Sequence, residues 1–159
     1  MGGVIINARP IVILGASGTA VSAAADTNEN TLATITVPAG AMGLRGILRI
    51  TTSWTTTSSA NNKTLRVRFS GGAGTQYATL VYTTSVSAFD VRYIINRDSA
   101  TSQVGSMAAK DTGLGAGGGA LVTSSVDTTA ATTVVITGQK ASAGETLTLG
   151  SYLVELITP

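Results

Sequence analysis

The side chains able to carry chemistry in this 159-residue chain are few: eight carboxylates, ten Lys and Arg, one Trp and four Tyr, with no His and no Cys. Without His or Cys there is no imidazole base, no thiolate nucleophile and no disulfide. Carboxylate chemistry remains, and glycoside hydrolysis needs two acids about 5–10 Å apart with one held protonated. Asp90 with Asp98, and Asp111 with Asp127, are the pairs a fold would have to bring together. The acids stand mostly in turn-like stretches or at strand ends, beside Asn, Ser, Thr or Lys, where a solvated loop acid is the plainer reading. Asp26 and Glu29, with neighbouring Asn residues, offer oxygen ligands for calcium, but their spacing matches no EF-hand. The expectation is a non-enzyme with no catalytic residue, metal or cofactor.

Two Gly-rich runs invite comparison with phosphate loops. Residues 113–119 lack the Gly-Lys-Ser/Thr ending and open no helix, and Gly15-Ala16-Ser17-Gly18 fails in the same way. Trp54 and the tyrosines have faces suited to stacking on sugars, but Trp54 falls on the inward phase of its strand and reads as core. Asn62-Lys63-Thr64 has the form of a glycosylation sequon, a match that a Thr-rich chain produces by chance.

The elements that must position these groups are strands. In LRGILRITTSW, Leu44, Leu48, Ile50, Thr52 and Trp54 alternate with Arg45, Arg49, Thr51 and Ser53. In TLRVRF, Leu65, Val67 and Phe69 alternate with Arg66 and Arg68. Period-2 alternation of this kind marks half-buried strands, and the polar run between them predicts a hairpin with an exposed tip. TLATITV before this pair and QYATLVY after it are further strands. SAFDVRYIIN sets Phe89, Val91, Tyr93 and Ile95 on one face and Asp90, Arg92 and Ile94 on the other. Weak strands follow at residues 102–108, 121–126 and 132–137. In TLTLGSYLVELI the phase changes at Gly150, which predicts a bulge. With about eight strands at short spacing and no long helical period, the expected architecture is an antiparallel sandwich or barrel.

Composition agrees. Ser and Thr together number 41 against 18 charged residues, which favours pleated surfaces and turns over helices. A net charge of +2 argues for neither nucleic acid nor membrane as a partner. The charge is uneven, however: residues 44–92 hold six basic side chains against Asp90 alone. Such a stripe is first of all a solvated sheet face. The sharper reading is that Arg45, Arg49, Arg66 and Arg68 dock on an acidic neighbour, another copy included.

Residues 1–30 read differently. The apolar run after Arg9 is diluted by Gly, Ser and Thr, so neither a cleaved leader nor a membrane span of about 20 apolar residues is expected. Val4, Ile5, Ile6, Ile11 and Ile13 lie in two short β-prone runs separated by Ala-Arg-Pro. They predict an extended arm, residues 1–30, lying along a neighbouring subunit, with the sandwich domain spanning 31–159.

The order of segments, TVPAGAMGLRGILRITTSWTTTSSANNKTLRVRFSG, FDVRYIINRDSATSQVG, VDTTAATTVVITGQ and AGETLTLGSYLVEL, resembles a family of small jelly-roll proteins of tailed-bacteriophage virions. The resemblance covers about residues 31–157. It implies a jelly-roll β-sandwich in the virion, a capsid-decoration or tail-associated component without enzymatic activity whose partners are other virion proteins. Together with the charge pattern it leads to the expectation of a homotrimer. The alternative is a receptor- or host-glycan-binding module at a tail or fibre tip, using loops 55–63 and 110–120.

Overall fold

The computed structural model describes residues 11–106, 108–109 and 119–159, and these contain strands and turns but no helix. Eleven strands are formed among the described residues: β1 (Ile11–Ser17), β2 (Val21–Ser22), β3 (Asn30–Val37), β4 (Ile47–Thr56), β5 (Lys63–Phe69), β6 (Thr75–Tyr82), β7 (Ser87–Asn96), β8 (Gln103–Gly105), β9 (Val122–Ser124), β10 (Thr132–Lys140) and β11 (Leu147–Ile157). The larger sheet runs β1-β11-β4-β7-β8-β9, with β2 also on β11, and the smaller runs β3-β10-β5-β6. Every pairing is antiparallel. If the eight long strands are counted in chain order, the sheets read 1-8-3-6 and 2-7-4-5, which is the jelly-roll arrangement of two interleaved Greek keys.

The alternation seen in the sequence builds the core between the sheets. Leu48, Ile50 and Trp54 of β4, with Val154 and Leu156 of β11, face Leu65, Val67 and Phe69 of β5 and Val134 and Ile136 of β10, all buried. Each such side chain contributes roughly 1.5–3 kcal/mol by leaving water. Phe69 and Tyr77 meet edge to face with centroids 6.3 Å apart. The β4–β11 register shifts between Leu149 and Ser151, the bulge expected at Gly150.

Three expectations are corrected. The hairpin of β4 with β5 does not form: β4 pairs with β11 and β7, and β5 with β10 and β6. Both strands carry apolar inward faces, and these bury each other across the core rather than side by side, so residues 57–62 bridge the two sheets. Leu44 is not strand but turn and is 61% exposed, because Gly40 and Gly43, both at positive φ, carry the chain round before β4 begins. The division at residue 30 also moves. Ile11–Ser17 pairs along the whole of Tyr152–Ile157, β2 joins the same strand, and Ala23 lies in the core, so the sandwich includes residues assigned to the arm. The physical reason is that β11 would otherwise leave one edge of its ladder open.

β7 is turned unexpectedly. Its apolar set, Phe89, Val91, Tyr93 and Ile95, faces away from the core, while Asp90, Arg92, Ile94 and Asn96 face inward and are buried.

Candidate interaction surface

The acids considered for catalysis are occupied elsewhere. Asp90 is buried and accepts from Arg92 Nε through both oxygens, at 3.1 and 2.9 Å. Asp98 is exposed and pairs with Arg45. Asp127 takes the backbone N–H and hydroxyl of Thr129 in a local turn, which lowers its pKa. Asp26 accepts from Asn28 and Asn30, and Glu29 is committed to arginines, so the two do not form a ligand set. No group of three or more potential metal ligands occurs among the described residues. Asp111 and most of loop 110–120 lie outside the described residues, as do Val4, Ile5 and Ile6. Trp54 is buried, its Nε1 donating to Thr52 Oγ1 at 2.9 Å, and offers no face to a sugar. Loop 57–62 is tied back to the turn before β11: Ser59 donates to Glu145, Asn61 Nδ2 donates to the same carboxylate at 3.2 Å, and the Thr57 and Thr146 hydroxyls meet at 2.8 Å.

The basic stripe is not a free docking face. All six basic residues of 44–92 stand within ion-pair distance of a carboxylate of the same chain: Arg45 with Asp98, Arg49 with Glu155, Lys63 with Glu145, Arg66 and Arg68 with Glu29, Arg92 with Asp90. Arg68 grips Glu29 with Nε and Nη2, both at 2.9 Å, and Thr137 donates to the same carboxylate. The side chains of Arg66 and Arg68 are only 15% and 11% exposed. Chiefly through the Arg68 hydrogen bond, the pKa of Glu29 falls below its ordinary 4.5. Arg49 binds Glu155 in a two-point clasp at 2.7 and 2.8 Å and lowers that carboxyl likewise. Apart from Arg92 and Asp90, neighbours on β7, these partners stand at least 37 residues apart in the sequence, and the jelly roll brings them together. Cross-strand pairing, which the sequence does not reveal without the topology, is the signal that would have found these partners.

The larger sheet leaves a mainly apolar set uncovered among the described residues. On the outward face of the larger sheet the pairing registers align Ile11, Ile157, Ile47, Ile95 and Val104 in one row crossing five strands. The next row is Ile13, Glu155, Arg49 and Tyr93, followed by Leu153, Thr51 and Val91, then Ser151, Ser53 and Phe89. Ile13 is 63% exposed and Phe89 61%. Tyr93, Ile95, Val104 and Leu121 line an open apolar hollow of about 300 Å³ on this face. Of the interface candidates, Ile11, Ile13 and Arg49 are therefore brought together here, Arg66 and Arg68 lie on the other sheet, and Arg45 sits on a rim turn.

Behind the face, Gln103 is fully buried and satisfied. Its Nε2 donates to Asn96 Oδ1 and the Val126 carbonyl, both at 3.0 Å, while its Oε1 accepts from Ser124 Oγ and Val126 N, both at 2.9 Å. This network fixes β8 and β9 to β7 and extends the sheet that carries the rows.

No protein-family model and no curated protein matches the chain. Among solved structures, a chain from "Structure of infectious bursal disease virus Gx strain" aligns over 94% of this chain at 13% identity with a TM-score of 0.39. This chain spans 31% of that chain's length, and a likeness this loose carries no argument about function.

Proposed function

We propose that this chain is a non-enzymatic structural component of a tailed-bacteriophage particle, decorating the capsid or sitting in the tail, that assembles with copies of itself and with other virion proteins. The supporting observation is a strand-only jelly roll whose stripe of bases is paired within the chain and whose larger sheet presents aligned apolar rows to the outside. A domain finished in this way has surface to bury, and its acids among the described residues are held in ion pairs and turns. The resemblance of residues 31–157 to phage jelly-roll proteins supplies the particle. Val4, Ile5 and Ile6 keep their proposed role as an attachment segment ahead of β1.

The three-fold expectation drew on the virion resemblance and on unlike charged faces meeting head to tail. With those charges paired within the chain, a homotrimer is supported by the resemblance alone, and self-association is the part of the proposal taken further. Antibody labelling of purified particles tests the reading: regular decoration of capsid or tail is expected, and particles free of this chain by mass spectrometry would overturn it.

A further inference from the structure

We infer that the outward face of the larger sheet is a contact surface for the same face of a second copy, related by a two-fold axis. The inference names the surface through which the proposed structural component meets itself and rests on that reading.

The inversion of β7 carries the argument. A half-buried strand ordinarily turns its apolar side to the core, yet here Phe89, Val91, Tyr93 and Ile95 point out while Asp90, Arg92 and Asn96 are buried. The outward set does not stand alone: Ile95 completes the aliphatic row from β1 to β8, on a sheet that no other strand among the described residues covers on that side. Contiguous apolar patches of this extent on a soluble domain mark interaction sites. Strands spaced ~4.8 Å apart and rising ~3.3 Å per residue give each outward residue roughly 32 Å² of sheet and the named rows roughly 480 Å² in all. That is more than half of the ~800 Å² per partner buried in a standard stable interface.

Charge selects the occupant. The one ion pair of the rows, Arg49 with Glu155, is closed within the chain and leaves no net charge for an acidic or basic partner to match. The rows are instead self-complementary. An axis running along the strands between β11 and β4 sets each row against itself, Ile157 over Ile47 and Leu153 over Thr51. It also places Arg49 of one copy over Glu155 of the second, so the pairs reinforce each other. Two sheets stacked face to face sit about 10 Å apart, and a shared face is the isologous arrangement of two-fold dimers.

The test uses the full chain, with sedimentation velocity across micromolar concentrations and thermal unfolding in parallel. The wild type is expected at twice 15.9 kDa. Ile47→Lys and Ile95→Lys, which set cations over Ile157 and Ile11 of the second copy, are expected to weaken association at least about a hundredfold. Ile95→Thr keeps a β-branched strand former and is expected to weaken association while unfolding as cooperatively as the wild type, which separates loss of contact from loss of fold. A monomeric wild type, or assemblies unmoved by all three substitutions, would overturn the paired face. Particle incorporation distinguishes the two readings: a chain present in particles yet monomeric in solution sinks only the paired face, and a chain absent from particles sinks the structural-component reading.

Discussion

The two sheets turn differently finished faces to the outside. On the smaller sheet Glu29 gathers Arg66, Arg68 and Thr137, Gln139 accepts from Arg66 at 3.0 Å, and Thr34 and Thr36 complete a hydrogen-bonding surface suited to water. On the larger sheet the corresponding positions are mostly Ile, Val, Leu, Tyr and Phe around one Arg49–Glu155 clasp, with Thr51, Ser53 and Ser151 toward one end. The same period-2 alternation writes both. It assigns residues to two sides of a strand, and the partners available inside decide which side is buried. Asp90 and Arg92 satisfy each other, and Asn96 reaches the Gly43 carbonyl at 2.7 Å and Thr128 Oγ1 at 3.0 Å, so a polar set is accepted into the interior and an apolar set is left outside.

The contrast can be broken from within. Asp90→Ala leaves the fully buried Arg92 without its carboxylate and is expected to cost about 3–5 kcal/mol. A urea midpoint near the wild-type value would mean that the pair does not hold β7 in its inverted setting. Gly105→Ala is next: a Cβ there would come 2.4 Å from Tyr77 Cδ1 and 2.6 Å from the Tyr93 carbonyl oxygen. Overpacking of this kind lowers stability by about 1–3 kcal/mol. Thermal unfolding should show the loss, and an unchanged midpoint would refute the close approach of β8 to Tyr77.

On the polar face, Glu29→Gln is expected to cost about 1–2 kcal/mol by removing the charged acceptor of two guanidinium groups. It also sharpens the comparison through pH. Glu29 and Glu155 are held below 4.5 in the folded chain, so the stability they contribute is present above the unfolded value and is lost as pH falls through their folded values. Stability should therefore be level near neutrality and decline below roughly pH 4.5. Glu29→Gln should flatten that decline, with Glu155→Gln acting alike on the other face. A decline of unchanged steepness in both variants would assign acid sensitivity elsewhere. The smallest effect is expected from Ile95→Thr, within about 0.5 kcal/mol for the isolated domain. A larger loss would show that the row supports the fold as well as any contact.

Much of the fold was legible in the sequence. The alternations around Ile50 and Val67 mark strands whose inward residues are those buried in the structure, and the phase change at Gly150 is a bulge. In TLATITV the alternation holds for Ile35 and Val37, but Leu32, set opposite them, is buried too because the β3–β10 register shifts there. What local pattern cannot carry is long-range pairing. It joined β4 to β5, whereas the core requires them opposite each other. It left Ile11–Ser17 outside the domain because its pairing partner lies at Tyr152–Ile157. It also read the arginines as available because Glu29 and Glu155 stand far from them along the chain. The interface candidates divide for the same reason: Ile11 and Ile13 stand out by their apolarity alone, and Ile11 begins a row whose other members come from four further strands, with Ile13 in the row beside it.

The position of β11 sets an order on events in time. Leu147–Ile157 lies between β1 and β4, and synthesis reaches it after every strand it pairs with. Until it emerges, β1 and β4 share no neighbour and the larger sheet cannot close, so folding waits on contacts distant in sequence, the slow class of strand pairing. The aliphatic row across five strands therefore comes into being only on chains synthesised through Ile157. A nascent chain that stops short of β11 displays fragments of the row but not the row itself, so synthesis through Ile157 precedes recognition between copies.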